Sequence, residues 1–311
     1  MKTILKTSIA LATAAIILTA ATGRAQTAYA LADNGLSLIR FDLATPGVTT
    51  LVGGFSGAAL RLDGIDFRPA NGLLYGYSQQ SNAVVTIDLN TAATTLSSTP
   101  GPTPPVPVPA SSTRNLGIDF NPVPDRMRLV NSDDQNLRIN VATGATIVDG
   151  TLAFAAGDPN FGINPGINEA AYTNSDNNPL TTTTTLFYID PTLDILVSTI
   201  NPNAGSLTTV GALGVNTSDL TGFDILSNGL GTQNDAYAIL TATSGIASLY
   251  RVNLGTGAAT PVGVVSQTAA QRPYSLAIVQ PAIPEPGTVL FGIALAGACL
   301  TRRARQAAPR A

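Results

Sequence analysis

Histidine and tryptophan are absent from this 311-residue chain, cysteine occurs once, and charged residues make up only 11% of it. Without histidine there is no Ser-His-Asp or Cys-His catalytic arrangement, no His-ligated zinc or copper site and no histidine pH switch. The one cysteine, Cys299, lies in the last apolar stretch, so the rest of the chain can form no disulfide. Lysine is confined to Lys2 and Lys6, and Arg302, Arg303, Arg305 and Arg310 crowd the last ten residues. Between Gln26 and Glu285, nine Arg stand against seventeen Asp and two Glu. So acidic a surface repels phosphate backbones and anionic membranes, which argues against nucleic acid as a partner and leaves calcium or a neutral glycan as better fits.

Turn-forming residues are plentiful instead, with 29 Gly and 21 Pro among many Thr and Ala. No segment between the two ends sustains a helical period, so the composition predicts an all-β protein and disfavours parallel βαβ folds.

Both ends read as addresses. Met1 to Lys6 supply a positive head and Ile9 to Ala21 an apolar run, closed by Gly23-Arg24-Ala25; residues 1–25 are therefore expected to be a secretory signal peptide cut before Gln26, with Ala28 and Ala30 as a second small pair. At the other end Pro284-Glu285-Pro286 precedes an apolar segment, 288–300, and then Arg302, Arg303 and Arg305. This order resembles the PEP-CTERM tail of exosortase substrates in Gram-negative bacteria. The resemblance implies that residues 282–311 are a sorting tail, anchored transiently in the inner membrane and cleaved near the Pro-Glu-Pro by exosortase, with the product delivered to the cell surface or beyond. The apolar segment is shorter than the ~20 residues that span a bilayer as a helix, a shortfall that membrane thinning or snorkelling arginines can make up.

Residues 26–281 repeat one phrase. Gly64-Ile65-Asp66-Phe67-Arg68-Pro69 returns as Gly117-Ile118-Asp119-Phe120-Asn121-Pro122, as a weaker Gly166-Ile167-Asn168-Glu169 and as Gly222-Phe223-Asp224-Ile225, at spacings of 53, 49 and 56 residues. Each phrase is followed by a second strand, such as Leu73-Leu74-Tyr75 or Leu186-Phe187-Tyr188, and then by an alternating third, such as Val85-Thr86-Ile87-Asp88-Leu89. A fourth strand follows turns such as Thr143-Gly144 and Thr256-Gly257. Four short strands per period of about 50 residues is the pattern of a β-propeller blade. The domain opens in mid-phrase at Ala28-Tyr29-Ala30, and a lone strand, Tyr274 to Val279, remains at its end. Pairing these closes a ring of five four-stranded blades without a free sheet edge at the seam. A sixth blade fits only if the fourth phrase, Gly166 to Gly214, is split. Thr99 to Pro109, rich in proline, reads as a stiff loop between blades.

The phrase at 117–122, the run Asn115 to Asn140, the segment Ala170-Ala171-Tyr172-Thr173-Asn174-Ser175, and Pro202 to Leu207 with Val210-Gly211 together resemble the bacterial domain-of-unknown-function family 4394 (DUF4394). The resemblance spans roughly residues 28–280 and implies no particular activity.

The recurring Asp66, Asp119 and Asp224 are the main candidates for chemistry. On an innermost strand the flanking Ile and Phe point to one face and the Asp to the other, so equivalent positions would gather carboxylates around the propeller axis, where oxygen ligands suit calcium. The competing reading has each Asp binding backbone amides of its own blade as a clamp, and repetition favours it, since catalytic sites usually break symmetry. Asn131 to Asn136 and Asn174 to Asn178 are oxygen-rich but lack the internal Gly and distal Glu of an EF-hand. Glu169 is the one Glu of the domain, and a pairing with Asp119 could serve glycoside cleavage. The expectation is thus an exported, non-catalytic surface or matrix propeller needing no cofactor, calcium apart. Its expected partners are exosortase at the tail and an extracellular polysaccharide or surface protein; a glycosidase or lyase with channel-mouth carboxylates is the alternative.

Overall fold

The computed structural model describes residues 26–101, 116–176, 178, 181–227, 233–266 and 271–281. The expected signal peptide, most of the proline-rich loop and the whole sorting tail, including Pro284, Glu285, Pro286, Arg302, Arg303 and Arg305, lie outside the described residues. Within them the protein is a five-bladed β-propeller, with two single-turn 3-10 helices at Asp33–Gly35 and Pro202–Ala204. No described helix is long and apolar enough to cross a membrane.

Blade I takes its innermost strand, Tyr274–Ile278, from the far end of the domain and sets it against Thr27–Ala32, followed by Ser37–Asp42 and Thr45–Gly54. Blade II runs outward through Gly64–Phe67, Leu74–Ser78, Ala83–Ile87 and Ala93–Ser98. Leu116–Asn121, Arg126–Asn131, Asn136–Ile139 and Thr146–Val148 form blade III. Blade IV consists of Glu169–Tyr172, Leu186–Asp190, Ile195–Thr199 and Ser206–Ala212, and blade V of Thr217–Ser227, Asn234–Ala242, Ala247–Val252 and Ala259–Ser266. The seam forms as expected: Ala28 pairs with Ile278 and Tyr29 with Ala277, antiparallel.

The period emerges more regular than the phrase Gly166-Ile167-Asn168-Glu169 suggests, and that phrase requires correction. The innermost strand of blade IV begins at Glu169, so Glu169, not Gly166, matches Gly64, Gly117 and Gly222, with Ser275 in blade I. Starts at 64, 117, 169, 222 and 275 lie 53, 52, 53 and 53 residues apart. The Gly-Ile pair at 166–167 imitates the phrase but precedes the strand. Two short strands were also not foreseen: Ser56–Gly57 pairs parallel to the outer strand of blade II, and Ala153–Phe154 parallel to that of blade IV. Each covers part of an exposed outer edge.

The core is five separate layers, one between each pair of neighbouring blades. Ile65 and Phe67 pack with Tyr29 and Leu31 between blades I and II, and Ile118 and Phe120 with Tyr75 and Tyr77 between II and III. Ala170 and Tyr172 pack between III and IV, Phe223 and Ile225 between IV and V, and Leu276 and Ile278 between V and I. Period-2 alternation therefore sends the second and fourth residues of each inner strand toward the preceding blade. The first and third are left facing the following blade. Rings cross two of these layers edge-on: Tyr29 meets Phe67 with centroids 5.8 Å apart, and Tyr75 meets Phe120 at 5.3 Å.

Candidate functional site

Counted from the aligned starts at 64, 117, 169, 222 and 275, the third residue of each inner strand is Asp66, Asp119, Ala171, Asp224 and Ala277 in turn. The inner strands come close enough to bond directly. Asp66 Oδ2 accepts the Phe120 N–H at 2.9 Å and Asp224 Oδ2 accepts the Ile278 N–H at 2.6 Å, while the Asp119 carboxylate faces the Tyr172 N–H, which acts to lower its pKa. Each bond crosses to the next blade. The expectation that such clamps stay within their own blade is thus only partly met: Asp66 and Asp224 also accept the N–H of the residue that follows them, Phe67 and Ile225, but the main attachment is between sheets.

Where alanine occupies the third position, the first residue takes over. Glu169, two before Ala171, faces the Phe223 N–H of blade V, which acts to lower its pKa, and Ser275 Oγ, two before Ala277, accepts the Ile65 N–H of blade II at 3.0 Å. Five acceptors on five inner strands thus face five backbone N–H groups of the neighbouring blade, three of them in direct hydrogen bonds, and together they make a ring of clamps. The glycines that fill the first position elsewhere have a steric reason. A Cβ on Gly117 would lie 2.5 Å from Glu169 Cα, and one on Gly222 would lie 2.8 Å from Leu276 N, both backbone atoms of the next inner strand. Ser275 was missed in the sequence because nothing in its composition marks it; only the 53-residue spacing does.

Asp66, Asp119 and Asp224 converge. One carboxylate oxygen from each lies within 4.8 Å of the other two, and all three side chains are buried. Burial raises the pKa of Asp66, and the neighbouring charge of Asp224 raises it further. Asp119 is pushed up by burial and then by Asp66 and Asp224. Asp224 is pushed up to about 7 by burial, against the lowering effect of the Ile278 and Ile225 N–H groups. Glu169, 4% exposed, is raised by burial and by Asp224. These groups can hold a hard cation or share protons.

The remaining sequence candidates are turn residues. Asn131 Oδ1 accepts the Asp133 and Gln135 N–H groups, and Asp176 accepts from Asn178 N–H, Thr181 Oγ1 and Ser227 Oγ. Asn168 bridges blades IV and V by donating to the Asp219 carbonyl and accepting from Thr221 Oγ1. A buried Arg128, which the sequence analysis did not single out, joins blades III and IV through Tyr172 Oη, Asn136 Oδ1, Asn203 Oδ1 and an ion pair with Asp149 at 2.5 Å.

The family model described as "Domain of unknown function (DUF4394)" matches residues 37–274. No curated protein matches the chain. Among solved structures, one from a nidogen/laminin complex is 10% identical, at a TM-score of 0.47, covering 83% of this chain and 99% of that one. A catalytically inactive virginiamycin B lyase from Staphylococcus aureus, with quinupristin, is 12% identical, at a TM-score of 0.40, covering 82% and 75%.

Proposed function

Because the chain belongs to the DUF4394 family, whose description names no activity, we propose a role from the chain's own chemistry: a non-catalytic, exported β-propeller of the cell surface or extracellular matrix, presenting its rim to a neutral glycan or a surface protein. The observation that carries the non-catalytic part is the burial of the axial carboxylates. The carboxylates a glycosidase would use, Glu169 and Asp119, are 4% and 1% exposed, and each faces a backbone N–H of the next blade. A general acid must come within hydrogen-bond reach of a glycosidic oxygen, which carboxylates so buried do not offer. The exported part is supported by the two ends of the sequence, the leader before Gln26 and the Pro284-Glu285-Pro286 tail with its arginines.

Expression in a Gram-negative host with and without its exosortase tests the export. The chain should reach the surface fraction shortened at both ends when exosortase is present, and stay with the inner membrane when it is absent. A full-length chain in the cytoplasm of both strains would contradict the proposal. Release of reducing ends from a polysaccharide, lost on Glu169→Gln, would overturn the non-catalytic reading.

A further inference from the structure

We propose that Asp66, Asp119 and Asp224 together form a binding site for one hard divalent cation of the size of calcium, held on the propeller axis where blades II, III and V meet. The site does not depend on whether the chain is exported or what its rim binds.

Three observations carry it. The first is spacing: calcium sits ~2.3–2.6 Å from its oxygen ligands, so two ligands of one ion lie at most about 4.6–5.2 Å apart. The three carboxylate oxygens, all within 4.8 Å of one another, meet that condition with room to close in. The second is an oxygen without a partner. Asp119 is 1% exposed and faces the Tyr172 N–H, while its Oδ1 has no hydrogen-bond partner among the described residues. A buried carboxylate oxygen left so is costly unless something unseen binds it. The third is charge. The main influences on the three groups are backbone N–H donors and other carboxylates, with no arginine among them, and the chain's only lysines are Lys2 and Lys6. Three carboxylates from three blades, with no cationic side chain set against them among the described residues, call for a cation from solution.

The arrangement is also preorganised. Phe120 N–H fixes Asp66, Ile278 and Ile225 N–H fix Asp224, and the Tyr172 N–H faces Asp119. An ionised carboxylate has about four lone-pair sites, so these bonds leave each group capacity for an ion.

The test is the melting temperature of EDTA-stripped protein at pH 8, with and without calcium chloride. At a concentration of about 100 times the dissociation constant, mass action should raise it by ~5 °C or more. Asp119→Asn keeps an acceptor for Tyr172 N–H and should weaken calcium binding about tenfold or more; the triple change of Asp66, Asp119 and Asp224 to Asn should abolish the shift. Asp133→Asn, in a turn away from the axis, should leave the shift intact. No shift in the wild type, or a shift that survives the triple change, overturns the site. Should the triple variant fail to fold, wild-type crystals grown in calcium decide: one anomalous peak between the three carboxylates supports the proposal, and its absence refutes it.

Discussion

Asp119 faces the Tyr172 N–H and keeps one oxygen without a partner among the described residues, so two replacements separate its roles. Asp119→Ala strands a buried N–H between blades III and IV and should cost roughly 1–3 kcal/mol. Asp119→Asn keeps the acceptor and removes a charge crowded by Asp66 and Asp224, so without calcium it should be neutral or stabilising in urea unfolding. Equal losses for the two would mean that the charge, not the clamp, is what matters. The cluster also sets a pH dependence. Asp66, Asp119, Asp224 and Glu169 all have raised pKa values in the folded state, so the folded protein binds more protons than the unfolded chain once pH exceeds about 4. Stability of the calcium-free protein should therefore be greatest below that pH. It should fall as pH rises, with the Asp224 contribution exhausted above about 7. Thermal melts in EDTA from pH 4 to 8 check this, and a melting temperature that rises over that range would contradict it.

At the scale of the strand, what was legible followed the strength of the local pattern. The Gly-Ile-Asp-Phe strands at 64–67 and 117–120 carry alternation, a steric glycine and a clamp residue at once, and they stand where the sequence puts them. Blade IV replaces the glycine by Glu169 and the Asp by Ala171, so a search for the phrase settles on the nearby Gly166-Ile167, whereas counting 52 or 53 residues finds the strand. The two-residue strands Ser56–Gly57 and Ala153–Phe154 are too short for any period to announce them. Clamping across blades rather than within them was likewise not legible, because it depends on how closely neighbouring inner strands approach. That closeness is testable at Gly117. Changing it to Ala sets a Cβ 2.5 Å from Glu169 Cα and should destabilise by about 1–3 kcal/mol, as overpacking does; an unchanged melting temperature would show that the strands have room to part. The seam strand is a stronger case. Deleting residues 273–280 removes Leu276 and Ile278, both buried, each worth roughly 1.5–3 kcal/mol, and opens a sheet edge. The product should aggregate or melt far lower than the parent.

For the whole molecule, ring closure makes the five layers of core interdependent, since no blade buries both its faces without two neighbours. The last described contacts toward the C-terminus are those of Val279 with Thr27 and Gln280 with Ser227 and Ile225. A chain ending at Ala282 should therefore keep the melting temperature of the full protein, and a large loss would show that the apolar segment 288–300 belongs to the core. The central claim is that the axis is sealed by a ring of clamps from each blade to the next. Hydrogen exchange of the five clamped amides, Ile65, Phe120, Tyr172, Phe223 and Ile278, tests it most directly. In the native protein these amides should exchange only through global unfolding, with the same protection as one another and the highest in the molecule. Rapid exchange at any one of them, well above the global unfolding limit, would show that the ring opens locally at that junction and would contradict a sealed axis.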